Sequence, residues 1–372
     1  MGAGFGKFFR LPVALAWLNR WGDCMLRQNT ANGLDFLGLM RLTLALSVAG
    51  FHLSPHLFPD AGRHAVAGFF CLSGFLITKI ARETYSERPI EFLLNRFLRI
   101  FPLYWSCLIV VVIICLLLPA AALHPLLNLS VATDIPWWIN QITIFNLAPS
   151  AGKIIGQSWS LEIELYFYLY IGLGTHRSLA ITFIGFTFLL GYSLLAFFHV
   201  VSAPFYWVPL TNGFLFFGGS LAYFLYPKLK LCTRSCIIGI IVYAGTMYIL
   251  PHVVSPSSYD ALIFLSFAGS ILILLSLPNI KAPPGFISKV SNYCGRLTYP
   301  VFLLHIGCAV LVASFAQDNQ LLLFPLSLPL TFAVSIALVH MVELPLEKVR
   351  RNIRSATTGQ RRTVESMPAL VA

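Results

Sequence analysis

Apolar residues along this chain come in runs of about 17 to 25 positions, with charge, proline and glycine collected between them. Ten such runs can be cut: 34–53, 65–81, 100–123, 158–175, 178–199, 206–226, 235–251, 259–279, 297–316 and 321–344. They are long enough to cross a bilayer as helices, and only helices or closed barrels satisfy their backbone in lipid. The pattern therefore predicts an all-α polytopic membrane bundle of about ten transmembrane helices, the fourth and fifth close enough to form one bent hairpin. Residues 1–33 mix short apolar pieces with Lys7, Arg10, Arg20 and Arg27. They lack a signal-peptide core followed by a small-residue cleavage site, and read as a cytoplasmic or interfacial segment. The transmembrane domain is expected over 34–346 and a basic cytoplasmic tail over 347–372, disordered from Arg350 onward. No internal repeat is evident, so a transporter built from repeated halves gains no support.

Composition agrees: 58% of the 372 residues are hydrophobic and 10% charged, with mean hydropathy +0.79. The formal charge of +11 raises the question of a nucleic-acid partner, and its placement answers against one. Of 25 Lys and Arg, 22 fall in the two tails and in every second connection, while Arg63 and Lys153 alone occupy the others and Arg41 lies inside a run. That alternation predicts both termini in the cytoplasm and basic loops facing anionic lipid. The eight cysteines show no paired framework and no CxxC.

Charge inside the runs marks the candidate chemistry. Arg41 and His52 are eleven residues apart in the first run. Eleven steps of about 100° return to nearly the same helix face, roughly 16 Å further along. Ionisable groups on one intramembrane stripe normally face a cavity or pathway. By the predicted topology Arg41 lies in the inner half and His52 at the outer mouth. Glu162 and Glu164 then belong to the outer third of the fourth span, two positions apart and so on different faces, and one of them can join His52. Ser73 and His305 fall near mid-membrane, and Arg96 and Arg99 sit at the inner mouth of the third span. A polar route across the membrane follows, basic at one end and acid/base at the other. Each residue has a plainer role open to it: His52 as a helix cap, Arg41 snorkelling inward, Arg96 and Arg99 as ordinary inner-side charges. Trp137, Trp138 and Trp207 read as interface anchors. His52 and His56 have metal-ligand spacing, but Pro55 interrupts the helix and no acid completes a set, so no metal is expected.

The sequence resembles the acyltransferase 3 membrane proteins, which O-acetylate bacterial surface and exported carbohydrates. The likeness runs from about Asp35 to Arg351 and rests on six motifs in order. They are Arg41 with ten residues before His52; Gly68-Phe69-Phe70-Cys71-Leu72-Ser73-Gly74-Phe75-Leu76-Ile77; Asn95-Arg96-Phe97-Leu98-Arg99-Ile100-Phe101-Pro102; Trp159-Ser160-Leu161-Glu162-Ile163-Glu164 with Tyr166-Phe167-Tyr168; Leu297-Thr298-Tyr299-Pro300-Val301-Phe302-Leu303-Leu304-His305; and Val342-Glu343-Leu344-Pro345. Three departures stand out. Asp35 lies six positions before Arg41 rather than three, Asn95 stands where relatives often carry another arginine, and the hydrolase-like domain of some longer relatives is not found after the tenth span.

The resemblance implies a multi-pass enzyme of the bacterial inner membrane, an O-acetyltransferase of exopolysaccharide or other carbohydrate. Acetyl-CoA, or another acyl-CoA such as succinyl-CoA, would be the donor substrate, with no permanently bound cofactor. The expected partners are membrane lipid, a carbohydrate acceptor and possible polysaccharide assembly machinery, and no nucleic acid. Arg96, Arg99 and Arg41 would hold donor phosphates at the inner mouth, and a pantetheine arm of roughly 20 Å would carry the acyl carbon upward. His52 would be general base on a sugar hydroxyl, with Glu164 orienting or stabilising it. Ser73, Tyr299 and His305 would polarise the thioester carbonyl or line an acyl channel. Direct transfer and an acyl intermediate on His52 or Ser73 are both open. The rival readings are a glycan exporter without covalent chemistry and an inactive relative acting in assembly.

Overall fold

The computed structural model describes residues 33–85, 87–118, 134–145, 153–205, 208–281, 283–316 and 320–365. It is 86% helical, without strands among the described residues. In chain order the helices are α1 Leu37–Leu53, α2 Ala61–Glu83, α3 Pro89–Leu117, the short α4 Ile135–Thr143, α5 Trp159–Gly172, α6 Leu179–Phe197, α7 Pro209–Leu229, α8 Thr233–Ala244, α9 Tyr259–Ser276, α10 Gly285–Ala316, α11 Gln320–Leu338 and α12 Leu344–Glu365. A π turn at Gly245–Ile249 and a short 3-10 turn prolong α8, and another π turn, Val339–Glu343, joins α11 to α12. Each of the ten predicted runs coincides with a helix over most of its described length. Among the described residues, eight helical stretches are long and apolar enough to cross a membrane.

Of the ten predicted runs, the two whose helices fall outside that set, α5 and α7, are short or polar for a reason. Residues 211–223 of α7 are all buried, Thr211, Asn212 and Ser220 included, so this helix faces protein rather than lipid. Helix α5 has 14 residues, about 21 Å of rise, and follows a 3-10 turn at Gly156–Ser158 that is buried at Gln157 and Ser158. Its chain thus begins inside the bundle rather than at its rim. Residues 1–32, most of the connection after α3, and Trp207 lie outside the described residues. Trp137 is 8% exposed and packs edge-on against Trp138, so it belongs to the core rather than to a lipid interface.

Small residues set the closest helix pairs, as expected where lipid offers no hydrophobic drive for association. Between α2 and α7, Gly74 meets the Phe216 carbonyl and Gly219 meets that of Cys71. Beside them Thr78 Oγ1 donates to Ser220 Oγ at 2.9 Å, and Ser220 Oγ to the Gly74 carbonyl at 3.2 Å. A Cβ at either glycine would overlap backbone that cannot turn aside. Gly74→Ala is expected to cost about 1–3 kcal/mol, read as a lower unfolding midpoint in detergent. Gly191→Ala, with open space at its Cβ, is the neutral control; equal midpoints for both would refute the close-packing account. Gly38 of α1 approaches Ser291 of α10 in the same manner, and Leu39 N donates to Ser291 Oγ at 3.0 Å.

Just beyond α1, a polar knot ties α2 to α8 and α9. Buried His64 lies 3.3 Å from Asp60 through Nε2 and 2.8 Å from Ser266 Oγ through Nδ1, and Tyr243 donates to its carbonyl at 2.7 Å. Burial pushes the Asp60 carboxyl up to about 6, against the opposing pull of Arg63.

The last helix departs from expectation. A disordered tail from Arg350 was predicted, whereas α12 continues to Glu365. Pro345 lies just past the π turn within one unbroken helical run from Gln320 to Glu365, and its missing N–H coincides with that local change of hydrogen-bond register. Arg350 is 4% exposed, donates to Glu343 at 2.6 Å and lends its carbonyl to Asn95 at 3.3 Å. The tail is thus anchored to α3 and to the π turn.

Candidate active site

Two chambers occupy the centre of the bundle. The larger, about 510 Å³, is lined from α1, α2, α3, α5, α10, the π turn and α12. Seven cations border it (Arg41, Lys79, Arg96, Arg99, Arg296, Arg350 and Arg354) against the three carboxylates of Glu164, Glu343 and Glu347. The smaller, about 50 Å³, is lined by Arg41, Val66, Phe69, Phe70, Ser73, Ser160, Leu161, Glu164, Thr298, Tyr299 and Phe302. Arg41, Phe69, Ser73 and Glu164 border both, so the chambers meet there.

The basic chamber is organised around Glu343. Its Oε1 accepts from Arg99 Nη1 at 2.8 Å and from Arg350 Nη2 at 2.6 Å, so one carboxylate oxygen holds two guanidinium groups together. Arg296 pairs with Glu347 at 2.6 Å. Arg96 donates to Asn95 Oδ1 at 2.8 Å but has no carboxylate partner, and its buried Nε has no hydrogen-bond partner among the described residues. Arg350 Nε is buried and unpartnered too. Desolvated N–H groups of this kind favour anions. Asn95 accepts from Arg96 and donates to the Arg350 carbonyl, and so positions both arginines. Asp35 accepts from Ser288 Oγ at 2.9 Å, away from Arg41.

Where the chambers meet, the hydroxyl protons are already committed. Ser73 Oγ donates to Glu164 Oε1 at 2.7 Å and Tyr168 OH to the same oxygen at 2.5 Å. Tyr299 OH donates to the Ile100 carbonyl at 3.2 Å, Ser160 Oγ to that of Gln157 at 2.9 Å, and Thr298 Oγ1 to that of Cys294 at 3.0 Å. Arg41 makes no hydrogen bond or ion pair with the described residues. Its guanidinium is therefore the one donor group on the small chamber with N–H bonds to spare.

His52 lies about 16 Å further along α1. Its ring stacks on His305 of α10, with centroids 5.4 Å apart and planes at 29°. His305 Nδ1 is 2.8 Å from the Phe302 carbonyl, which can only accept, so Nδ1 carries the proton and Nε2 presents a lone pair. That Nε2 is buried without a partner. Gln157, from the turn before α5, donates to the carbonyls of Phe302 and Leu303 at 2.5 and 3.0 Å, leaving its Oε1 buried and unpartnered. His52 itself makes no hydrogen bond with the described residues and remains partly accessible. Phe302 links the two regions, bordering the small chamber while packing on His305 at 6.4 Å and on Phe69 at 5.8 Å.

A scan of family profiles matches an acyltransferase domain, the acyltransferase 3 profile, over residues 34–340. The chain belongs to the acyltransferase 3 family. It is a multi-pass membrane acyltransferase. No curated protein and no solved structure matches it. The Val342-Glu343-Leu344-Pro345 motif falls just past the matched span, although Glu343 is central to the basic chamber.

The predicted site residues thus fall into three groups. Arg96, Arg99 and Arg41 share the basic chamber, Arg41, Ser73, Glu164 and Tyr299 share the small one, and His52 stacks on His305. Glu164 is placed otherwise than expected: it sits with Ser73 and Tyr168 at the level of Arg41, and makes no hydrogen bond to His52. The reason is the buried start of α5. Gln157 occupies the histidine level, and Glu164 lies seven residues, about 10 Å of helix, beyond it. Glu162 meets Tyr166 at 3.4 Å. Sequence reasoning gave no role to Gln157, Tyr168, Arg296, Glu343 and Arg350, although Tyr168 and Glu343 stand in the quoted motifs. A signal existed for one pair: Glu343 and Arg350 are seven residues apart, two helical turns, on one face.

Proposed function

We propose that this acyltransferase moves a short acyl group from cytosolic acyl-CoA to a carbohydrate hydroxyl at the opposite face of the bacterial inner membrane, as in polysaccharide O-acetylation. The observation that carries the reading is the junction of a cation-rich chamber with a small, largely apolar one at Arg41, with an unencumbered imidazole beyond. Phosphates of the donor suit the large chamber, where Arg96 and Arg350 have N–H groups in need of acceptors. The thioester then enters the small chamber beside Arg41.

In the proposed reaction His52 takes the proton of the acceptor hydroxyl as its oxygen attacks the thioester carbonyl. The attack leaves a tetrahedral oxyanion, while Arg41, about 16 Å along α1 from His52, orients the incoming thioester where the chambers meet. Collapse breaks the carbon–sulfur bond, the proton passes from imidazolium to thiolate, and an ester and free CoA result. The stacked rings and Phe302 lie between chamber and acceptor, so the acyl carbon and the hydroxyl must meet at that aromatic boundary.

The test compares glycans of cells with and without the protein by mass. The expected result is one acyl mass increment per modified sugar, removable by mild base and lost on deletion. Unmodified glycan accumulating inside deleted cells would instead establish an exporter.

A further inference from the structure

Three carboxylates border the basic chamber, and each is held differently. Glu164 accepts from two hydroxyl groups, those of Ser73 and Tyr168. Glu343 joins Arg99 to Arg350, with its own side chain 4% exposed. Glu347, about one helical turn further along the chain, pairs among the described residues with Arg296 of α10 alone, at 2.6 Å.

That last pair is the accessible one. The Arg296 side chain is 30% exposed and that of Glu347 19%, so water can solvate both groups when they part and the separation costs little. Parting Glu343 from Arg350 would strand a buried charge instead. Arg296 and Glu347 both border the chamber that suits the donor's phosphates. A phosphate offers a guanidinium the same forked geometry as a carboxylate, with more charge. A carboxylate that stayed beside that phosphate would repel it across a few ångströms, and the exposure of Glu347 lets it turn away to water.

We infer that Glu347 is a displaceable stand-in for phosphate: it holds Arg296 at the chamber wall, yields it to a phosphate of the incoming donor, and reclaims it as free CoA leaves. This rests on the donor reading above and goes beyond it by adding a residue that positions Arg296 and limits affinity in favour of release. The consequence has an unusual sign, because deleting a contact of the chamber should tighten binding.

The experiment measures the affinity and release rate of CoA for the full chain in lipid nanodiscs. Glu347→Gln should bind CoA about 5-fold or more tightly than wild type, since an opposing charge is gone and Arg296 is free from the start. The gain should appear mainly as slower release and shrink as salt is raised. Arg296→Gln should move affinity the other way. A bridge that merely ties α10 to α12 would give both variants the same sign, each weakening CoA or leaving it unchanged. Glu347→Ala replaces the glutamine variant if that one does not elute as a folded monodisperse species. CoA binding by wild type with equal or weaker binding by the folded Glu347 variant overturns the stand-in and leaves the donor reading in place. Absence of any CoA binding by wild type overturns both.

Discussion

His52→Ala should lower acyl transfer by about 10²–10⁴-fold, the usual contribution of a positioned general base. A sugar hydroxyl is far too weak an acid to ionise at neutral pH, and of the two stacked imidazoles His52 is the one with accessibility and no hydrogen bond to the described residues. His305 is buried, and its Nδ1 proton is taken by the Phe302 carbonyl. The residue borders neither chamber, so donor affinity should stay at the wild-type value and the loss should fall on turnover. That split separates the assignment from a packing role, which would disturb folding or both constants together. His52→Gln keeps hydrogen-bonding capacity but cannot take up a proton, and should be as inactive as the alanine variant. Ester formation by initial rate, with CoA affinity measured on the same preparation, checks all of this. Wild-type turnover in either variant removes His52 from the chemistry.

The bundle and part of its site were legible in the sequence for one physical reason. Lipid forces the backbone into helices, so hydropathy marks the spans, and a stripe at eleven-residue spacing marks an inward face whatever the fold. Arg41 and His52 follow from that spacing alone. Depth was less legible. Counting from the predicted edge of each span assumes that the helix starts at the membrane surface, and α5 does not: Gln157 at its head already touches the His305 segment. The carboxylate at position 164 therefore pairs with Ser73 and Tyr168, at the level of Arg41. Tertiary pairing across distant segments was the least legible. Nothing local in the chain says that Asn95 accepts from Arg96 and donates to the carbonyl of Arg350, 255 residues away, or that a π turn aims Glu343 inward.

Glu343→Ala is expected to cost about 3–5 kcal/mol of stability, the penalty for stranding a buried charge by deleting its partner. Glu343 and Arg350 have side chains 4% and 5% exposed, and Arg99 is 25% exposed, so water can compensate Arg99 in part and Arg350 hardly at all. Without the carboxylate two guanidinium groups would also face one another across a few ångströms with nothing to hold them together. Glu343→Gln retains the shape and an acceptor oxygen but not the charge, and should fall between wild type and alanine. Arg350→Ala removes the more deeply buried cation, so Glu343→Ala in that background should cost distinctly less than it does alone. The coupling is predicted to reach about 1–3 kcal/mol, within the range for residues of one network. Unfolding midpoints of the four proteins in detergent, with CoA present and absent, supply the cycle. Additive losses below about 0.5 kcal/mol each would mean that the pair is solvated and uncoupled, and that the arginines of the basic chamber hold their places without Glu343.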